Sequence, residues 1–156
     1  MPKHPRWTRR FLAEADLDAI TAAIRAAEAR TSAEIHVHLE RRRPRRFLGT
    51  PVDALARARA LFTKLGMHRT VERHGVLLYL AIDDRKLAVV GDVGIHRLVG
   101  DRHWERVRDG MIERLRAGAP REAIVGAIEE IGRELAAHYP RRPDDANELG
   151  DEVSVS

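Results

Sequence analysis

From Val76 to Ile82 the chain is apolar at every position, and after an acidic turn at Asp83 and Asp84 a second apolar run follows from Leu87 to Val90. A stretch that is apolar on both faces reads as a strand inside a sheet, with helices above and below it. The Asp-Asp-Arg turn then returns the chain antiparallel beside it. Ser32 to Glu40 behaves differently: Ile35, Val37 and Leu39 point one way, and Glu34, His36, His38 and Glu40 point the other. Period two predicts a strand with one face under a helix and the other partly wet, as at a sheet edge or a cleft.

Helical spacing marks four further segments. Leu17, Ile20, Ile24 and Ala27 share one face between Phe11 and Thr31, with Asp16 and Asp18 near the start, where carboxylates suit the positive end of the helix dipole. A second helix follows Gly49, with Thr50 expected as N-cap and Pro51 at the first helical position. Its stripe is Val52, Leu55, Ala58, Phe62 and Leu65, and Gly66 ends it. Asp101 is expected to cap a third helix with Trp104, Val107, Met111 and Leu115 inward. After Gly118-Ala119-Pro120 a fourth presents Ile124, Ile128, Ile131, Leu135 and Tyr139. The first strand, second helix and apolar run make a right-handed β-α-β unit with parallel strands. Together these elements describe an α/β domain over residues 1–140, and residues 141–156 read as an extended or mobile tail with almost nothing to bury.

Composition narrows the chemistry. With 156 residues and no cysteine, the chain needs no disulfide to build a core, and thiolate chemistry is excluded. Net charge is +4 from 28 basic and 24 acidic residues, and all but three of the bases are arginine. No stretch approaches the roughly 20 apolar residues of a membrane span, so no transmembrane segment is expected and a cytoplasmic location is.

Phosphate loops, H-E-x-x-H and G-x-S-x-G are absent, and Ser32 is the only serine before the tail, which argues against a serine hydrolase. Arg41, Arg42, Arg43, Arg45 and Arg46, broken by Pro44, form a basic loop able to bind anions, whether lipid surfaces or nucleic acid. A solvated connection is the preferred reading. Nucleic acid is the less favoured partner, because no aromatic residues interleave the run and no DNA-reading motif accompanies it. His36 and His38, with Glu34 or Glu40, have the spacing of a metal site, but an ordinary polar strand face is preferred.

Turn carboxylates offer oxygen ligands for calcium or magnesium, with no organic cofactor expected. Strand direction separates them into two groups: Asp92, Asp101 and Glu34 at one end of the sheet, and Asp83, Asp84 and Glu40 at the other. The first group is favoured because Gly91 and Gly94 would permit unusual dihedrals and expose backbone groups. Ordinary turn and capping roles compete with both.

The block LGMHRTVERHGVLLYLA at Leu65 to Ala81, then VVGDVGI, a tryptophan ten residues after Gly94 and a late NELGD resemble the TPM domain family, as do TSAEIHV at Thr31 to Val37 and HYP at His138 to Pro140. The similarity is to its small stand-alone branch and covers nearly the whole chain. It implies a three-layer α/β/α sandwich with a small mixed sheet, β-α-β plus hairpin, flanked by four helices. Other members of the family are membrane-anchored or lie in the thylakoid lumen, and some are described as acid phosphatases or as binding calcium or magnesium. The motif falls on Thr31, Glu34, Met67, Thr70, Arg73, Gly75, Asp92, Gly94, Ile95 and Trp104, and departs from it at His74, where Asn is usual, and Gly150, where Pro is usual. The expected role is an accessory or interaction domain with a protein partner, membrane-associated in one version. The rivals are a metal-assisted acid phosphatase, with His96 and His103 near its carboxylates, and anionic-surface or nucleic-acid binding through Arg41–Arg46.

Overall fold

The alternating segment and the apolar run become the two inner strands of one sheet. In the computed structural model, which describes residues 4–141 and 153–156, β1 is Glu34–Glu40, β2 is Gly75–Ala81 and β3 is Lys86–Gly91, with β4 at Ser154–Val155. The order is β3-β2-β1-β4; β1 runs parallel to both β2 and β4, and β3 is antiparallel to β2. Helices α1 (Arg6–Arg9), α2 (Glu14–Glu28), α3 (Ala54–Lys64), α4 (Val93–Arg116) and α5 (Pro120–His138) complete the chain, with 3-10 turns at Phe47–Gly49 and Met67–Arg69. The expected mixed sheet and helical layers are present, and among the described residues one short helix and one short strand join them.

Two cores lie on the two faces of the sheet. Ile35, Val37, Leu39, Val76, Leu78 and Leu80 pack with Ile20, Ile24, Ile128 and Ile131 of α2 and α5 and with Val107 of α4. Leu77, Tyr79, Ala81 and Ala88 pack with Ala58, Leu61 and Phe62 of α3 and with Met67. Each fully buried large aliphatic side chain contributes about 1.5 to 3 kcal/mol relative to exposure, so these faces dominate stability.

Several local expectations are corrected. The cap of α3 is Asp53, whose carboxylate accepts from the Ala56 N–H at 3.2 Å; Thr50 and Pro51 lie before the helix. Its buried residues are Ala54, Ala58, Leu61 and Phe62, while Leu55 is exposed. The helix therefore begins later than the Thr-Pro signal indicated, and its buried stripe is rotated. Asp101 lies inside α4, directly after a kink at Gly100 (φ 76). Asp16 acts as expected at the start of α2, accepting from the Ala13 N–H at 3.0 Å.

The polar face of β1 is not wet. Glu34, His38 and Glu40 are buried; Arg57 of α3 and Tyr79 of β2 reach Glu40, and β4 pairs along the other edge of β1 beside His38. The end of the expected tail accordingly has something to bury: Val153 joins the main core, and Ser154 and Val155 pair with His38 and Leu39. NELGD and Gly150 lie outside the described residues.

Candidate functional site

At the end of the sheet where β1 and β2 begin and β3 ends, buried polar side chains collect. Glu34 pairs across from Gly75, and the Asp92 N–H donates to the Gly75 carbonyl at 2.9 Å, so both carboxylates reach this end. Thr31, Ser32, Thr70 and His74 are buried there with them. Thr31 donates its hydroxyl to the Tyr139 carbonyl and accepts from the Ala33 N–H. Thr70 Oγ1 accepts from the His74 N–H at 3.3 Å. One Glu72 oxygen lies 3.5 Å from both Ser32 Oγ and His74 Nε2, and the His74 ring stands edge-on to Tyr139 at 5.2 Å. Burial, then the charge of Glu72, raises the Tyr139 phenol above its ordinary pKa.

Asp92 is the N-cap of α4. Its Oδ1 accepts from the Val93 N–H at 2.7 Å, and its Oδ2 is buried with no hydrogen-bond partner among the described residues.

A backbone clamp holds this end together. Arg73 adopts φ 54, and its carbonyl accepts from the N–H groups of Gly94 at 2.9 Å and Ile95 at 3.3 Å. A Cβ on Gly94 would stand 2.4 Å from the Glu72 carbonyl oxygen, and one on Gly91 would stand 2.3 Å from Trp104 Cζ2. Neither glycine has positive φ. The expectation of unusual dihedrals is thereby replaced by close approach: these positions lack a side chain because backbone and indole occupy its space. Met67 seats Gly75 from below, with its carbonyl oxygen 3.2 Å from where a Cβ would lie. Trp104 donates its indole N–H to His96 Nδ1 at 3.0 Å. Residues scattered from Thr31 to Trp104 thus serve one junction between sheet, loop and helix.

The pattern that defines the TPM domain matches residues 8–134. The chain belongs to the TPM domain family. The BA42 protein of the psychrophilic bacterium Bizionia argentinensis, solved by NMR, is similar at 35% identity and a TM-score of 0.82, over 94% of this chain and 96% of that one. The N-terminal domain of a P. gingivalis protein shares the fold at 19% identity and a TM-score of 0.64, over 85% of this chain and 82% of that one. The N-terminal domain of the Corynebacterium glutamicum cg2496 protein does so at 15% and 0.60, over 86% of each chain. Among curated proteins none matches. No helix of the described TPM domain is long and apolar enough to cross a membrane.

The remaining candidate residues are distributed around this framework. Asp101, whose side chain is 85% exposed, faces His96 Nε2 at 3.5 Å. His103 is buried edge-on against Trp104, and burial lowers its pKa. Among the described residues no three His, Asp or Glu side chains gather into a cluster that could hold a metal ion on their own, so Asp92, Asp101 and Glu34 are not brought together as one preassembled set.

At the other end of the sheet the carboxylates are held by cations. Asp83 faces Arg41 at 3.1 Å and Arg42 at 3.6 Å. Asp84 accepts from the Arg43 backbone N–H at 2.8 Å, from Arg43 Nε at 3.1 Å and from Arg45 Nη2 at 2.8 Å. Although burial opposes ionisation of Asp84, these bonds lower its pKa to about 2. The arginine loop is therefore pinned to the β2–β3 turn rather than freely solvated. Glu40 accepts from Arg57 Nε at 3.0 Å and Nη2 at 2.7 Å, and from the hydroxyls of Tyr79 and Ser156, each at 2.7 Å.

The two strand histidines turn toward β4. His36 Nε2 and His38 Nδ1 meet Ser154 Oγ at 2.7 and 2.6 Å, and His38 Nε2 meets Ser156 Oγ at 2.7 Å. Burial, only partly offset by Glu40, lowers the His38 pKa to about 4. The folded state therefore favours neutral imidazole, and protonation favours the unfolded chain. Stability should fall by about 2 kcal/mol on acidification from about pH 7 to about pH 5, and the loss should level off below about pH 4. Urea midpoints across this range check it, and His38→Gln should flatten the slope in that window.

Periodicity could not find Ser32, Glu72 and Tyr139 as members of the Asp92 cluster, because they come from a strand approach, a loop and a helix end. Their one sequence signal is that Ser32 and Glu72 fall inside the motif blocks and Tyr139 inside HYP.

Proposed function

We propose that this TPM domain is a cytoplasmic accessory domain that holds calcium or magnesium at the Asp92 end of its sheet and uses that end to engage a membrane-associated protein. The observation that carries the reading is the buried Asp92 Oδ2 without a hydrogen-bond partner among the described residues. An ionised oxygen removed from water is costly unless something compensates it, and a hard cation is a natural partner for a carboxylate. Glu34, at the same end of the sheet, is the second carboxylate proposed to face the ion, and water completes its shell. Asp101, on the exposed side of the kink, is proposed as an outer ligand. Two exposed apolar residues support partner contact: Val71 is 87% and Val93 60% exposed, and the turn carrying Val71 is joined to the first turn of α4, where Val93 lies, by the Arg73–Gly94 hydrogen bond.

Titration of the metal-free protein with calcium and then magnesium, followed by amide NMR, tests the reading. Saturable shifts should be confined to Gly75 and Gly91 through Asp101 and should vanish in Asp92→Asn. Unchanged spectra at millimolar cation would remove cation binding from the proposal.

A further inference from the structure

The loop between β1 and α3 carries more than an arginine run. At its tip, the 3-10 turn Phe47–Gly49, Phe47 is 94% and Leu48 89% exposed. Backbone bonds close the finger: Arg45 bridges antiparallel to Pro51, the Arg46 N–H donates to the Thr50 carbonyl at 2.7 Å, and the Val52 N–H donates to the Pro44 carbonyl at 2.9 Å. Leu48 adopts φ 77, a left-handed conformation with a steric cost for an L residue. An apolar pair is thus held outward by a closed backbone, in a conformation that local preference alone would not select.

Charge gathers at the base of the finger and along its strands. Asp83 and Asp84 face Arg41, Arg42, Arg43 and Arg45, while Arg46 has no ion pair among the described residues. The adjoining turn adds exposed Arg85 and Lys86. Two turn carboxylates against these seven cations leave a positive excess on the loop and turn from which the two apolar side chains project.

We propose that this finger docks on an anionic lipid bilayer, with Phe47 and Leu48 entering the interface and the guanidiniums of the loop resting on lipid headgroups. The pairing of chemistries points to lipid: an aliphatic side chain gains by entering an apolar layer, while clustered cations are drawn to the negative surface. Nucleic acid offers the charge but no apolar medium for Leu48. The finger leaves the C-terminal end of β1 and Asp92 lies beyond its N-terminal end, so this inference does not depend on cation binding.

Sedimentation of the full chain with sucrose-loaded vesicles tests it, comparing phosphatidylcholine alone with a mixture containing about one third phosphatidylserine. The protein should bind the anionic vesicles, and binding should weaken as salt rises. Phe47→Ser combined with Leu48→Ser should reduce the partition coefficient at least about tenfold. Arg42→Gln with Arg46→Gln should reduce it by about tenfold as well. Both variants alter exposed side chains and should keep the wild-type amide spectrum and thermal midpoint. Failure to bind phosphatidylserine vesicles, equal binding to neutral ones, or undiminished binding of the Phe47/Leu48 variant would overturn the proposal. So would tighter binding to duplex DNA or RNA than to the anionic vesicles.

Discussion

Replacing Arg57 with alanine should destabilise the domain by about 4 kcal/mol, the cost of leaving a buried carboxylate without its cation. Glu40 is buried at the C-terminal end of β1, and Arg57 meets it with two hydrogen bonds from α3. Burial opposes ionisation of Glu40, but bonds from Arg57, Ser156 and Tyr79 prevail and lower its pKa. A depressed carboxylate pKa stabilises the fold above the unfolded-state value, and that contribution disappears as acid titrates the native group. Without Arg57, two hydroxyl donors remain, too little to offset a desolvated charge. Urea denaturation at constant m-value provides the measurement. Adding Glu40→Gln to Arg57→Ala should recover part of the loss, because the uncompensated charge is then gone. A loss below about 1 kcal/mol for Arg57→Ala would class the pair with exposed ion pairs instead.

Gly94→Ala should cost about 3 kcal/mol, at the upper end of ordinary overpacking. Its added methyl would meet the Glu72 and Arg73 carbonyl oxygens at 2.4 and 2.6 Å. Both are backbone atoms in a turn that also accepts the Gly94 and Ile95 N–H groups, so they cannot rotate away as a side chain would. Gly110→Ala supplies the internal control. That glycine lies in the same helix with nothing within 4 Å of where a methyl would stand, and its replacement should be stabilising by about 0.5 to 1 kcal/mol. Thermal midpoints of the two variants should therefore move in opposite directions. If both moved together, helix propensity rather than loop contact would govern Gly94.

The sequence was most legible where structure is local. The run Val76 to Ile82 showed the inner strand, the Asp83-Asp84 turn showed the hairpin, and the apolar spacing of Ile124, Ile128, Ile131 and Leu135 showed the inward face of α5. The parallel pairing of β1 with β2 followed from the crossover rule. The motif residues also named much of the Asp92 end before their purpose was visible: there the Thr31 hydroxyl donates to the Tyr139 carbonyl, the Thr70 hydroxyl accepts from the His74 N–H, and the Gly94 N–H donates to the Arg73 carbonyl.

By itself, then, the sequence determined the three longer strands, the body of the four longer helices, the antiparallel hairpin and the β-α-β direction, since these depend on side-chain periodicity and short connections. Tertiary structure alone decided how the polar groups are used. The alternation that marked β1 as half-wet was real, but Ser154 reaches His38 from 116 positions away and Arg57 reaches Glu40 from 17. Likewise, Gly94 looked like a source of backbone freedom until the Arg73 turn was seen to occupy the space of its missing side chain. Periodicity records which way a side chain points; whether a polar one meets water or a buried partner depends on which distant part of the chain folds over it.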